Sequence, residues 1–535
     1  MSGKSDWEKA CDHVMPNVCR QANPNPPLEK PEARLRNGYN PPAVDIHKER
    51  WAEYEKYGKE PAPPPEKVRV SLRIGVFFDG TGNNAGNTAA GLLCGAQHAV
   101  KPEDLDASCK PYMSDPDSSY GNDVTNVKKL SDLYYAPRKA EGEDQQKRAS
   151  RAVYIEGIGT QAGKQDSLLG AGTGRGDTGV AGRVQQAFVS IRTEIQSFQQ
   201  DNPDCEITLL TFDAFGFSRG AAAARHFANE VVRGKQGPLG DVLRSNAKAF
   251  SRLFHDQYQR DIHMGFIGLF DTVASIAGLA NLGNVGSPVA PGIKLHLSRK
   301  YFNNVLHLVA RDEYRGNFPL SRVKPDHPEI TLPGAHSDIG GGYRAEAEEC
   351  VLISPMQALD VSWNTDVTTT SIYRDALQAK AQWLAKGWPT EMLEIVTPAA
   401  TRLPADPQDR AAPRRQRVYA GLQLKRQVRG ELSRVYLRVM HQLAKQKGVR
   451  FIDIPEEPQY LLPLELQPLC DKFVAGDYST TPADESLLKL RYIHTSAHWN
   501  HPLGKSGNRG IKVVYINAPT ADAVRAQHPH VADWE

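Results

Sequence analysis

From Lys67 onward, short apolar runs alternate with longer stretches of helical periodicity. VRVSLRIGVFF (Val68 to Phe78) predicts a strand that stops in the polar loop Asp79 to Asn84. RAVYIEGIGT (Arg151 to Thr160), Glu206 to Phe215, Met264 to Phe270 and Glu329 to Leu332 predict further strands. Between them, Val180 to Phe198 and Ala221 to Val232 show helical spacing. Strands alternating with helices predict an α/β fold, a mostly parallel sheet with helices on both faces. Ala85 to Asn126 predicts a long polar insertion with no clear periodicity. Beyond Tyr343 the pattern turns helical; Leu432, Val435, Tyr436, Val439, Met440 and Leu443 mark one apolar stripe, more consistent with core than with membrane. The expected organisation is a polar, proline-rich arm (1–66), an α/β core (67–345), a basic, mostly helical C-terminal module (346–490), and a segment returning to the core (491–535).

Composition alters this picture little. The chain has 535 residues, 40% hydrophobic and 24% charged, as expected for a globular protein with several domains' worth of core. A net charge of +3 points to no particular partner. The opening MSGKSDWEKACDHVMP lacks the apolar centre of a cleavable signal, and the richest apolar stretch, Met264 to Leu282, is broken by Asp271 and glycines. The expectation is a soluble chain made in the cytoplasm that leaves, if it leaves, by a signal-independent route. Seven scattered cysteines without a CxxC pair argue against a disulfide framework or thiolate zinc site, with pairing of Cys11 and Cys19 left open.

Gly216-Phe217-Ser218-Arg219-Gly220 fits G-x-S-x-G. The pentapeptide is common by chance; a strand directly before it and a helix directly after supply the required setting. Such a turn presents a serine nucleophile at the carboxyl edge of the sheet and aims the Arg219 N–H at the same point. Glycines at 216 and 220 remove side chains that would collide there.

An acid and then a histidine should follow. Asp271, where an apolar strand stops, suits the acid, against the plainer reading of a helix N-cap. His336 in LPGAHSDIGGGY suits the base, with His307 in an apolar run read as a core histidine and His494 as a cleft-lining rival. The Asp79 to Asn84 loop offers a second oxyanion donor from the Gly80 or Thr81 N–H, with Asp79 lining the cleft. A phosphatase D-x-D-G-T motif fails because Phe77 stands where its first Asp belongs. Gly174 to Gly179 fits G-x-G-x-x-G without an immediately preceding strand and reads as a loop. No ligand spacing suggests a metal, and acyl transfer by these groups needs no cofactor.

DGTGNN, GIGT, GFSRGAAAAR, LFDTVAS, ARDEYR and PGAHSDIGGGY, in that order, resemble the α/β hydrolases that include the phospholipase effectors of bacterial type VI secretion systems, and specifically their first lipase-effector family. The matching blocks run from about residue 72 to 343, with YIHTSAHW near the C-terminus. The resemblance implies phospholipase A activity on membrane glycerophospholipids, a triad of Ser218, Asp271 and His336, carriage on the secretion spike to the target periplasm, and a cognate immunity protein. The alternatives are an intracellular esterase or neutral-lipid hydrolase, or a non-catalytic cargo protein on a hydrolase scaffold.

Charge is unevenly placed. Between Arg410 and Arg450, nine arginines and three lysines face the single Glu431, a net +11. Arg414, Arg415, Arg417, Lys425, Arg426 and Arg429 are therefore expected to draw the chain peripherally to anionic lipid. Aromatic residues for base stacking are sparse there, only Tyr419 and Tyr436, so nucleic acid is not an expected partner.

Overall fold

The computed structural model describes residues 67–96, 109–115, 118–142, 146–166, 179–274, 292–404, 413–499 and 517–532. The expected arm, the open pairing of Cys11 and Cys19, and most of the Gly174 to Gly179 loop lie outside them.

Six strands build the central sheet: β1 (Val68–Phe78), β2 (Gln146–Ile155), β3 (Cys205–Phe217), β4 (Ile262–Phe270), β5 (Val305–Ala310) and, after the short β6 (Leu320–Ser321), β7 (Glu329–Leu332). Their order is β2-β1-β3-β4-β5-β7, and every pairing is parallel. A parallel sheet must be covered on both faces, which is why its strands read as near-continuous apolar runs.

The helices in chain order are α1 (Ala85–Leu93), α2 (Asn126–Leu133), α3 (Val180–Asp201), α4 (Arg219–Val232), α5 (Leu239–Ser245), α6 (His336–Gly340), α7 (Ser371–Ala385), α8 (Leu432–Gln446), α9 (Gln467–Val474) and α10 (Pro482–Arg491). One face of the sheet sends Val70, Leu72, Ile74 and Val76 against Ile191 and Ile195 of α3 and Phe227 and Val231 of α4. The other sends Phe77, Phe215 and Phe217 against Leu130 of α2 and Val435, Tyr436, Val439 and Met440 of α8. The apolar stripe of α8 is thus core.

Two expectations are corrected. The stretch Ala85 to Asn126 is not featureless: α1 starts at once, capped by the Asn84 side chain, which accepts the Asn87 N–H. A disulfide also joins Cys94 to Cys109, their Cα atoms 5.7 Å apart; cysteine spacing gave no sign of it because the pairing depends on how the intervening chain closes.

The C-terminal module is not mostly helical either. β12 (Arg415–Arg429) runs through the basic segment and pairs antiparallel with β8 (Glu346–Leu352), β9 (Gln357–Ser362) and β10 (Leu393–Val396), and with β11 (Thr401–Arg402). The reason is a period of two that the charges concealed. Val418, Ala420, Leu422, Leu424, Arg426 and Val428 all point inward. No described helix is long and apolar enough to cross a membrane.

Candidate active site

β3 ends at Phe217 and α4 begins at Arg219, so Ser218 alone makes the turn. It does so at φ 57° and ψ −125°, a conformation costly for a residue with a side chain. The flanking glycines are forced by space. A Cβ on Gly216 would lie 2.3 Å from the Gly220 carbonyl oxygen, and one on Gly220 would lie 2.3 Å from the Phe78 and Asp79 carbonyl oxygens. The Ser218 N–H donates to Phe270 O at 3.0 Å, stitching the turn to the residue before Asp271.

Asp271 is fully buried where β4 stops, itself at φ 41°. Its N–H donates to Leu308 O at 2.8 Å, and its Oδ1 accepts the Ala310 N–H at 3.0 Å. His336 opens α6, and its Nδ1 lies 2.5 Å from Asp271 Oδ2. The carboxylate also accepts a two-pronged bond from Arg525, Nη1 to Oδ1 at 2.7 Å and Nη2 to Oδ2 at 2.8 Å. Burial disfavours the charge on Asp271, but Arg525 and His336 outweigh it and hold the carboxyl far below its ordinary range. With Asp271 ionised, His336 Nδ1–H is the donor and Nε2 carries the lone pair. Burial is also the main influence on the imidazole, pulling its pKa below the usual value despite the carboxylate.

The imidazole is clamped by rings. Phe217, next to the serine, packs on it with centroids 4.6 Å apart, and Phe318 meets it edge-on at 5.0 Å. Gly340 lets α6 lie against Phe217, where a Cβ would come within 2.1 Å of the ring. No hydrogen bond joins the Ser218 hydroxyl to His336 in this structure. Apo hydrolases commonly tighten that contact only with substrate bound.

The helix-cap reading of Asp271 finds no support, because residues 271–274 are not helical and the carboxylate is fully engaged elsewhere. His307 is a buried core histidine, as expected; its Nε2 accepts the Thr272 N–H at 3.0 Å. His494 is turned to a different acid: its Nδ1 lies 2.7 Å from Asp338 Oδ1, and its ring stacks on Tyr343 at 3.6 Å. Asp79 is buried and accepts from Tyr154 Oη at 2.5 Å, Thr125 Oγ1 at 2.7 Å and the Gly80 N–H at 2.7 Å. The last bond corrects one expectation: the Gly80 N–H is occupied by Asp79 rather than turned to an oxyanion. Thr81 keeps a buried hydroxyl without a hydrogen-bond partner. Arg219 occupies the first position of α4, where helix geometry directs N–H groups outward along the axis.

Sequence reasoning missed the groups behind the pair. Glu313 accepts the His336 N–H at 3.3 Å and Ser496 Oγ at 3.0 Å, and is bridged by Arg315 at 2.8 Å. Glu313 and Arg315 lie within the ARDEYR stretch, whose four charges were a local signal. Arg525 had none.

The basic segment is also corrected. Arg426 is buried, bonding Glu349 at 2.7 Å, and cannot reach a bilayer. Arg417 pairs with Asp360 at 2.6 Å, Lys425 with Glu348 at 3.7 Å and Arg429 with Glu431 at 2.5 Å. Acidic residues of β8 and β9 answer much of the excess that a count along one segment could not see. Arg414 and Arg415 are exposed at the start of β12.

The family described as "T6SS, Phospholipase effector Tle1-like, catalytic domain" matches residues 231–366. A solved structure of the Tle1 effector bound to the VgrG spike from the Type 6 secretion system superposes with a TM-score of 0.66 at 29% identity, over 86% of this chain and 94% of that one. Residues 231–366 are thus similar to the Tle1-like catalytic domain, and the fold as a whole is similar to that of the Tle1 effector. A structure of an uncharacterized protein from Pseudomonas aeruginosa aligns at 19% identity with a TM-score of 0.27, over 52% of this chain and 42% of that one. No curated protein matches. Of the site residues, the family match covers Asp271 and His336, while Ser218 and Arg525 lie outside it.

Proposed function

We propose that this Tle1-like chain is an antibacterial phospholipase A that hydrolyses acyl esters of glycerophospholipids by a serine mechanism. The observation that supports this most is the Asp271–His336 pair, 2.5 Å apart, beside a serine held in a strained turn. Ser218 Oγ attacks the ester carbonyl as His336 Nε2 takes its proton, and Asp271 holds the imidazole through Nδ1–H. The oxyanion receives the Arg219 N–H and the Thr81 N–H. His336 then protonates the leaving alcohol, releasing a lysophospholipid. Water, deprotonated by the same nitrogen, frees the fatty acid from Ser218. One oxyanion donor is typically worth about 2.7–4 kcal/mol of barrier.

Delivery follows from likeness. A Tle1 effector has been seen on the VgrG spike, and the spike is the proposed carrier of this chain into the target periplasm. An immunity protein in the producer completes the proposal. The test is mass spectrometry of phosphatidylethanolamine–phosphatidylglycerol vesicles after incubation with wild type and Ser218→Ala. Equimolar lysophospholipid and fatty acid from wild type alone is the expected result. Diacylglycerol or phosphatidic acid products, or hydrolysis by the variant, would refute it.

A further inference from the structure

We propose that Arg525, carried on a C-terminal strap, is a positioning residue that holds the catalytic acid, so that the site is incomplete until residues 517–530 have docked. This rests on the reading of Ser218, His336 and Asp271 as the proton relay.

The strap is tied down along its length. Pro519 bridges to Arg315, Gly316 N–H donates to Ala518 O at 3.0 Å, and Thr520 N–H donates to Tyr314 O at 3.0 Å. β13 (Gln527–His528) then pairs parallel with β6, and the Ser321 N–H of β6 donates to Thr272 O at 2.9 Å, directly after the acid. At the far end the Leu297 N–H donates to His530 Nε2 at 2.8 Å, which leaves His530 Nδ1–H to donate to Asp326 at 2.7 Å. Both ring nitrogens are thereby used. Although His296, Asp326 and His530 cluster within 4.8 Å, the trio serves as a clasp rather than a cation site.

Between these anchors Arg525 is delivered to Asp271, 254 positions away in sequence. Its fork fits the two carboxylate oxygens, and its Nε donates to Phe318 O at 2.8 Å. Phe318 is the ring set edge-on against His336, and the Arg315 guanidinium lies over it at 3.4 Å from the centroid. One guanidinium therefore fixes the acid directly and the base through Phe318. It acts without touching substrate. Its charge also opposes the pull of Asp271 on an imidazolium, which favours the neutral base.

The test uses the full chain and a soluble short-acyl ester, with kcat/KM followed against pH. Arg525→Gln is expected to lower kcat at least tenfold with KM little changed. It should also move the acid limb upward by about half a pH unit or more, because Asp271 then stabilises the imidazolium unopposed. Arg525→Lys keeps the charge but loses the fork; its kcat should be intermediate and its acid limb near wild type. A merely structural residue would lower the amount of active enzyme without moving the limb. If Arg525→Gln does not fold, Arg525→Lys decides, with active sites counted by fluorophosphonate titration: wild-type kcat per titrated site overturns the proposal, and reduced kcat per titrated site upholds it, whereas a merely structural residue would lower only the number of sites. Wild-type kcat and limb in a folded Arg525→Gln also overturn it. Asp271→Asn separates the two layers. If that variant is inactive while Arg525→Gln is normal, only the positioning role fails; if Asp271→Asn is fully active, the relay itself fails.

Discussion

In the three residues proposed to carry the chemistry, backbone position matters as much as side chain. Ser218 and Asp271 both stand at positive φ, at 57° and 41°, where neighbouring bonds hold them at the sheet edge. The strain at Ser218 is tolerated only because residues 216 and 220 lack side chains. Gly216→Ala or Gly220→Ala should cost about 1–3 kcal/mol through overpacking and reduce kcat/KM at least 100-fold, as thermal unfolding and ester hydrolysis would register. The pH dependence follows from the base. The proposed hydrolysis needs neutral His336, whose pKa burial holds below the ordinary 6.5. Activity should therefore be flat through neutrality and fall only as pH drops through that lowered value. A half-maximal point above 6.5 in a pH profile of kcat/KM would contradict the burial seen here.

At the scale of elements, what was legible depended on whether the signal was local. The buried strands β1, β3 and β4 announced themselves because both their faces are apolar, and the elbow was readable because strand, glycines and helix adjoin. β12 was obscured because its exposed face carries Arg415, Arg417, Lys425 and Gln427, which read as a charge run, while its buried face includes Arg426. That arginine binds Glu349 and the carbonyls of Lys489 and Ile493, joining the antiparallel sheet to the segment that bears His494. Arg426→Ala should cost about 3 kcal/mol, since it removes a buried guanidinium and leaves Glu349 with Thr495 but without its ion-pair partner. Arg415→Ala, on the exposed face of the same strand, should change stability by less than about 0.5 kcal/mol. Urea denaturation of the two variants makes the comparison.

Across the whole molecule, the site is assembled from parts that no window of sequence contains. Ser218 comes from the middle of the sheet, His336 from beyond its last strand, and Arg525 from near the C-terminus. Contacts of this range leave no periodicity, which is why the residues of the proposed triad could be picked out by their motifs while Arg525 behind them could not. The Cys94–Cys109 bond is another such contact, closing a separation of 15 residues beside the helix that follows the Asp79 to Asn84 loop. Its reduction should lower stability by about 3 kcal/mol, visible as a fall in unfolding temperature with dithiothreitol. The central claim is that one serine carries the acyl group. A fluorophosphonate probe followed by peptide mass spectrometry tests it most directly. Covalent label is predicted on the peptide containing Ser218, lost in Ser218→Ala and greatly slowed in His336→Ala. Label on another residue, or undiminished labelling of Ser218→Ala, would contradict the account.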